Sequence, residues 1–248
     1  MNVTFKIFRF DPKKDKTHYY DTFVVQTKLN ERILDCLNTI RVKQDSSLSY
    51  RLGCSHGICG SDALTINGIP SLACQKLVKD YNYTSEILIE PLKFYSIIKD
   101  LIVDLEPFFK RIEKLKTDKK YTPINRLEER ENIQSIEDLQ KFEEAVKCIL
   151  CGCCVAACPI TLEIEPDFIG PAALLKAYRY IFDSRIKNIN DKMKLLEKVH
   201  GIWSCKSHYK CTLVCPKQIK VTKTILKTKR KIREDLYPKR RLNNGIKN

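Results

Sequence analysis

Ten of the twelve cysteines in this chain fall into two ligand patterns that iron-sulfur clusters use. The sharper pattern is Cys148-Ile-Leu-Cys151-Gly-Cys153-Cys154-Val-Ala-Ala-Cys158-Pro159, whose spacing C-x2-C-x2-C-x3-C-P is that of bacterial ferredoxins. Further on, Cys205-Lys-Ser-His208-Tyr-Lys-Cys211-Thr-Leu-Val-Cys215-Pro216 repeats the frame, with His208 standing where the second cysteine would be. In a two-cluster ferredoxin the three closely spaced cysteines of one run hold one cluster, and the fourth, before proline, reaches across to the other. On that rule Cys148, Cys151, Cys154 and Cys215 hold a 4Fe-4S cluster. Cys158, Cys205 and Cys211 are left for a second cluster, and a cubane without its fourth thiolate tends to lack the fourth iron, so the reading is a 3Fe-4S centre. His208 as a fourth ligand is the less favoured alternative, since histidine replaces cysteine mainly in Rieske centres.

The N-terminal half holds a different frame, Cys54-Ser-His-Gly-Ile-Cys59-Gly-Ser-Asp62 followed by Cys74. This is the plant-type spacing C-x4-C-x2-C with a distant fourth ligand, which holds a 2Fe-2S cluster, except that Asp62 takes the third position. A carboxylate is a harder ligand than a thiolate, yet it binds ferric iron and is ionised at neutral pH. Cys54, Cys59, Asp62 and Cys74 are therefore the expected ligands, with Ser61 or a water as the alternative to Asp62. Gly53, Gly57 and Gly60 permit a tight bend that aims backbone N–H groups at sulfur. Zinc gives no role to a third cysteine at x2 or to the Cys-Pro ending, and a disulfide scaffold belongs to small secreted chains. Two cysteines remain. Cys36 lies in the helical pattern Ile33, Leu34, Leu37, Ile40 and is expected as a small buried hydrophobe, while Cys153 is expected beside a cluster without ligating it.

The elements that must position these ligands form an α+β chain of two ferredoxin-like units. Val3, Phe5 and Ile7 alternate as a strand; a second strand follows through Phe23-Val24-Val25, and Asn30 is a plausible N-cap for a helix from Glu31. Asn67-Gly68 signals a type I′ hairpin between Ala63-Leu64-Thr65-Ile66 and Ile69-Pro70-Ser71-Leu72, which returns Cys74 to the loop. Glu86 to Glu90 closes the unit as a strand. Few strands around one helix predict a β-grasp plant-type ferredoxin domain over 1–106. The charge-dense stretch from Lys110 predicts a solvated linker over 107–134. From Ser135, an N-cap three residues before Asp138, a helix is expected to run through Phe142 and Val146 and deliver Cys148. Helical periods at Ala172, Leu174, Leu175, Tyr178, Ile181 and Phe182, and at Met193, Leu195, Leu196 and Val199, predict an all-helical bacterial-ferredoxin-like domain over 135–248.

At 248 residues and a formal net charge of +15, the chain has room for two modest domains and a strongly basic end. No run reaches the about 20 apolar residues of a membrane span, so no transmembrane span is expected. The basic tail from Lys217 to Arg241, with Lys229-Arg230-Lys231 and Lys239-Arg240-Arg241, is read equally as a solvated end or as a contact for a membrane or acidic partner. No nucleic-acid fold signature accompanies it, so no nucleic-acid partner is expected. The first residues run straight into a strand, so no transit peptide is expected.

Taken in order, these motifs resemble the iron-sulfur subunit of complex II, the succinate dehydrogenase and fumarate reductase family. The resemblance runs from about Thr4 to Lys229. It includes Ser49-Tyr50-Arg51, the Cys54 to Asp62 loop, Asp100-Leu-Ile-Val-Asp104, Cys148-Ile-Leu-Cys151, Phe168-Ile-Gly-Pro171-Ala and Asp183-Ser-Arg185. It implies an electron-transfer subunit of succinate:quinone oxidoreductase, in respiration and the tricarboxylic acid cycle. Electrons would come from FAD in a flavoprotein subunit, where succinate is oxidised, and pass through the three clusters to quinone at one or more membrane anchor subunits. Fumarate reductase, running in reverse, and a soluble multi-cluster carrier are the alternatives. The implied place is peripheral, on the inner face of a bacterial cytoplasmic or mitochondrial inner membrane. Many relatives carry paired tryptophans where this chain has Leu162-Glu163, and a histidine where it has Lys206. The resemblance therefore points to Lys206 and Lys229 as quinone-binding residues, with Lys229 alternatively one more tail lysine.

Overall fold

The computed structural model describes residues 1–115, 133–186, 189–198 and 200–238. Alternation decides the first element: Val3, Phe5 and Ile7 of β1 (Asn2–Arg9) are all buried on one face. A turn closed by Lys14 and Asp15 N–H donating to the Asp11 carbonyl leads into β2 (Tyr19–Gln26), antiparallel to β1 from Asn2 opposite Gln26 to Arg9 opposite Tyr19. The helix α1 (Ile33–Lys43) then lays Ile33, Leu34, Cys36, Leu37 and Ile40 into the core.

α1 starts two residues later than the Asn30 cap predicts. Leu29 to Arg32 instead run against the segment after Cys74: Arg32 bridges Leu77, Ile33 N–H donates to Lys76 O, and Val78 N–H donates to Glu31 O. These backbone bonds hold Arg32 extended, at φ −78° and ψ 149°, so that tertiary pairing overrides the local capping signal. The hairpin of β3 (Ala63–Ile66) and β4 (Ile69–Leu72) turns at Asn67 (φ 47°) and Gly68 (φ 78°), as a type I′ turn requires. The Asn67 side chain also accepts from Leu88 N–H of β5 (Ile87–Glu90). β5 lies between β1, to which it is parallel, and β3, giving a mixed sheet of order β2-β1-β5-β3-β4.

A small hairpin of β6 (Ile97–Lys99) and β7 (Ile102–Val103) follows. The nearly buried Arg9 ties it to the sheet, donating to Asp100 and Asp21 and to Asp45 and Ser47 in the turn after α1. The stretch expected as a solvated crossing begins as a packed helix, α2 (Glu106–Glu113), because Phe108 and Ile112 fall on one face and are buried. Residues 116–132 of that stretch lie outside the described part.

The elements formed by the remaining described residues are helices joined by loops. Ser135 caps α3 (Ile136–Gln140) by accepting from Asp138 N–H, as expected. The single helix expected there is two short ones, broken where Phe142 turns inward at φ −131° before α4 (Glu143–Val146). The short α5 (Cys153–Ala156) leads to a π-turn at Ile160–Ile164 and to the long α6 (Pro171–Ile181), which is buried on most sides. α7 (Ile189–Leu196) and the short α8 (Lys210–Leu213) precede α9 (Val221–Leu236), which packs on α6. The basic tail thus folds in large part as an amphipathic helix, burying Val221, Ile225 and Ile232 beneath its lysines; Val199 and Lys239-Arg240-Arg241 lie outside the described residues.

Candidate electron-transfer centres

The first centre is built by backbone. Left-handed Ser55 (φ 59°), Gly57 (φ 77°) and Gly60 (φ 71°) curl the loop so that amides point at sulfur. Cys54 Sγ accepts from the N–H groups of His56 at 3.5 Å, Ile58 at 3.3 Å and Cys59 at 3.2 Å. Cys59 Sγ accepts from Cys54 at 3.3 Å and Ser61 at 3.4 Å. These amides, His56 first, pull the Cys54 thiol down to about 6, a microenvironment that favours thiolate. Gly53 is required by crowding, since a β-carbon there would sit 2.7 Å from Cys59 Sγ. The β3–β4 hairpin does return Cys74: its N–H donates to Asp62 Oδ2 at 2.5 Å.

Asp62 is only 2% exposed, and its Oδ1 has no hydrogen-bond partner. A buried carboxylate oxygen left so is costly unless a cation meets it. Burial, then the hydrogen bond and charge of Asp62, push the neighbouring Cys74 thiol up to about 12. A ferric centre between the two would satisfy the orphaned oxygen and ionise the thiol, so the residues present fit a 2Fe-2S cluster. The guanidinium of Arg32, held by Asp35, donates to Ser55 O at 2.5 Å and anchors the loop to the start of α1.

The second and third centres are cavities. One is walled by Cys148, Cys151, Cys154 and Cys215, with Ile149, Leu150, Ala172 and Leu175 as its apolar lining. Left-handed Leu150 (φ 56°) and Gly152 (φ 83°) bend the Cys148–Cys154 loop around it. Burial raises the Cys148, Cys154 and Cys215 thiols, with the charges of the other cysteines adding to it, so four ionised thiolates here call for a cationic core. The other cavity is walled by Cys158, Cys205 and Cys211 together with Lys206 and His208. His208 is exposed at its rim, flanked by left-handed Ser207 and Tyr209. Cys36 and Cys153 line neither cavity and are fully buried. Lys229 donates to the Cys205 carbonyl at 2.6 Å and lies 5.7 Å from the Trp203 ring.

The sites adjoin one another. A β-carbon on Gly60 would lie 2.9 Å from Cys151 Cβ and 3.1 Å from its Cα, so the first loop touches the second across one van der Waals gap. Cys154 of the second site and Cys211 of the third feel each other's charge.

Known proteins carry the same organisation. A family described as a 2Fe-2S iron-sulfur cluster binding domain matches residues 4–110, and one described as a 4Fe-4S dicluster domain matches residues 144–219. The succinate dehydrogenase iron-sulfur subunit of Coxiella burnetii is 35% identical over 238 residues, covering 94% of this chain and 97% of its own. The chain belongs to the iron-sulfur subunit family of succinate dehydrogenase and fumarate reductase. Another member of this family, the fumarate reductase iron-sulfur subunit of Haemophilus influenzae, is 36% identical, with 88% of each chain covered. Iron-sulfur subunit 3 of the mitochondrial succinate dehydrogenase of Arabidopsis thaliana is 36% identical, covering 92% of this chain and 74% of its own. In fold, the chain matches one from the Mycobacterium smegmatis Sdh1 complex in the apo form, at a TM-score of 0.84 and 24% identity, covering 96% and 98%.

Two contributors to the family site escaped the sequence patterns. Tyr95, buried between the halves, donates to Gly152 O at 3.3 Å in the loop of the second cavity. Arg111 of α2 donates to Phe168 O at 2.7 Å and Pro166 O at 2.8 Å, with its guanidinium 4.8 Å from the Phe94 ring. No motif marks either, because each meets its partner only after the halves pack.

Proposed function

We propose that this chain is the electron-transfer subunit of a succinate dehydrogenase of the complex II type, and that its own residues hold three clusters in line. The ligands are Cys54, Cys59, Asp62 and Cys74 for 2Fe-2S; Cys148, Cys151, Cys154 and Cys215 for 4Fe-4S; and Cys158, Cys205 and Cys211 for 3Fe-4S. One observation carries the reading: two cavities are each walled by cysteines from two stretches far apart in the chain, in the crossed sets that ferredoxin spacing demands. When bound, the clusters supply one-electron acceptor and donor sites in sequence. The chain's part is to bind them, exclude water with apolar walls, and hold the first loop against the second at Gly60 and Cys151.

In this reading the N-terminal domain spans 1–106 as a β-grasp, with α1 laid across the mixed sheet; a connector spans 107–134, and the cubane domain spans 135–248. FAD sits in a flavoprotein partner on the side of the exposed Cys59, and quinone meets the third centre at the anchor, near Lys206 and Lys229. Lys206 lies in the wall of the third cavity and Lys229 is tied to the carbonyl of a ligand, which favours them as quinone contacts. Among the described residues no helix is long and apolar enough to cross a membrane, and the chain is taken to lie on the inner face of an energy-transducing membrane through its anchor. The similarity to fumarate reductase subunits keeps the reverse direction as the second reading.

Low-temperature EPR of the purified complex, with iron and acid-labile sulfide counted, tests the assignment. Distinct 2Fe-2S, 4Fe-4S and 3Fe-4S signals are expected; zinc without sulfide would refute it. Rates of succinate oxidation and fumarate reduction with defined quinones separate the two directions.

A further inference from the structure

Thr222, the second residue of α9, is 1% exposed and lines the third cavity beside Cys211. Its Oγ1 lies 3.4 Å from Cys211 Sγ. Two more contacts decide which atom gives the proton. The Thr212 hydroxyl donates to Thr222 Oγ1 at 3.0 Å, and the Thr222 backbone N–H donates to Thr212 Oγ1 at 2.9 Å. Thr222 Oγ1 already accepts one hydrogen bond, so its own proton is left to point at the sulfur, and a ligating thiolate has no proton to give in return.

We propose that Thr222, oriented by Thr212, donates a hydrogen bond to the Cys211 sulfur and thereby raises the reduction potential of the centre held by Cys158, Cys205 and Cys211. The inference rests on the 3Fe-4S assignment above. An added electron increases the negative charge shared by the ligand sulfurs, so a donor aimed at one of them binds the reduced form more strongly than the oxidised form. Burial keeps the effect: with Ile160, Phe168 and Ile225 in the same wall, water has little room to replace the hydroxyl. A higher potential at the last centre favours electrons arriving from the 4Fe-4S side. Thr222 touches a ligand rather than iron, so it is a positioning residue. Its contact with Thr212 also pins α8, which carries Cys211, to the start of α9.

The test is an EPR redox titration of the 3Fe-4S signal in the assembled complex. At the potential that half-reduces the wild-type centre, Thr222→Val should lower the reduced-to-oxidised ratio by up to about tenfold, which for a one-electron couple is a fall of about 59 mV. Thr222→Ser keeps the hydroxyl and should titrate as wild type. Thr212→Val releases the Thr222 hydroxyl from its orientation and should fall between the two. An unchanged ratio in Thr222→Val, with the signal intact, would overturn the proposal. Should Thr222→Val lose the cluster, Thr212→Val decides, and wild-type titration there would overturn it. Absence of any 3Fe-4S signal in the wild-type complex would sink the cluster assignment instead.

Discussion

Asp62 shows how one residue can hold its place in a ligand frame while changing the donor. Its Oδ2 is occupied by Cys74 N–H, whereas the buried Oδ1 has no partner of its own. On the proposed ligand set, removing Asp62 Oδ1 should cost the first centre at least the about 10- to 100-fold in affinity seen when outer partners of metal ligands are lost. Asp62→Ala is therefore expected to abolish the 2Fe-2S EPR signal while leaving the cubane signals, and Asp62→Cys is expected to retain it. Full 2Fe-2S occupancy in Asp62→Ala would hand the ligand role to Ser61 or water. The proposed ligand set was readable from sequence because atoms that grip one small inorganic core must recur at short spacing along a loop. Thr222 and Tyr95 were not, since each reaches its ligand segment from an element whose approach is set only by packing.

The contacts between elements decide whether those ligands come into line. Gly60 lies in the left-handed region at φ 71°, against the backbone of Cys151, so an added methyl group meets both conformational strain and a clash at 2.9 Å. Gly60→Ala should push the loops apart, slowing electron transfer from the first to the second centre in rapid-freeze EPR and weakening their magnetic interaction. Wild-type rates in that variant would move the crossing point elsewhere. Arg9 gathers four elements in the same half, and its partner Asp45 is held down to about 2, by Ser47 first and then against burial by Arg9. A carboxyl lowered from its ordinary 3.8 adds stability that is present above that value and is lost as pH falls toward about 2. The unfolding difference between wild type and Asp45→Asn should thus be constant above pH ~5, shrink as pH falls, and vanish only below pH ~2; a difference that did not shrink between pH ~5 and ~2 would refute the linkage. Local chemistry made the β3–β4 hairpin readable, because Asn67-Gly68 fits only a few turn types. The start of α1 was misread because its decisive bonds come from Lys76 and Leu77, more than forty residues away.

At the scale of the whole molecule, function depends on two independently patterned halves behaving as one body, since a relay fails if its sites drift apart. Several contacts among the described residues make the join. Tyr95 reaches the second-site loop, α2, which buries Phe108 and Ile112, packs on α6, and Arg111 donates to two carbonyls in the segment leading into α6. Arg111 also lies over Phe94, so its cation bridges a ring of the first half and backbone of the second. Arg111→Met keeps the apolar stem but leaves the Phe168 and Pro166 carbonyls without their donor, a loss of about 1–3 kcal/mol. Because neither half's ligands are touched, all three EPR signals should survive with their potentials unchanged. The magnetic broadening of the 2Fe-2S signal by the neighbouring reduced centre should weaken, and amide exchange should rise in α2 and in residues 165–170. Arg111→Lys, which cannot fork to both carbonyls, should fall between. If broadening and exchange both stayed at wild-type levels, the halves would be held by Tyr95 and apolar packing alone, and the guanidinium would be a passenger at the joint.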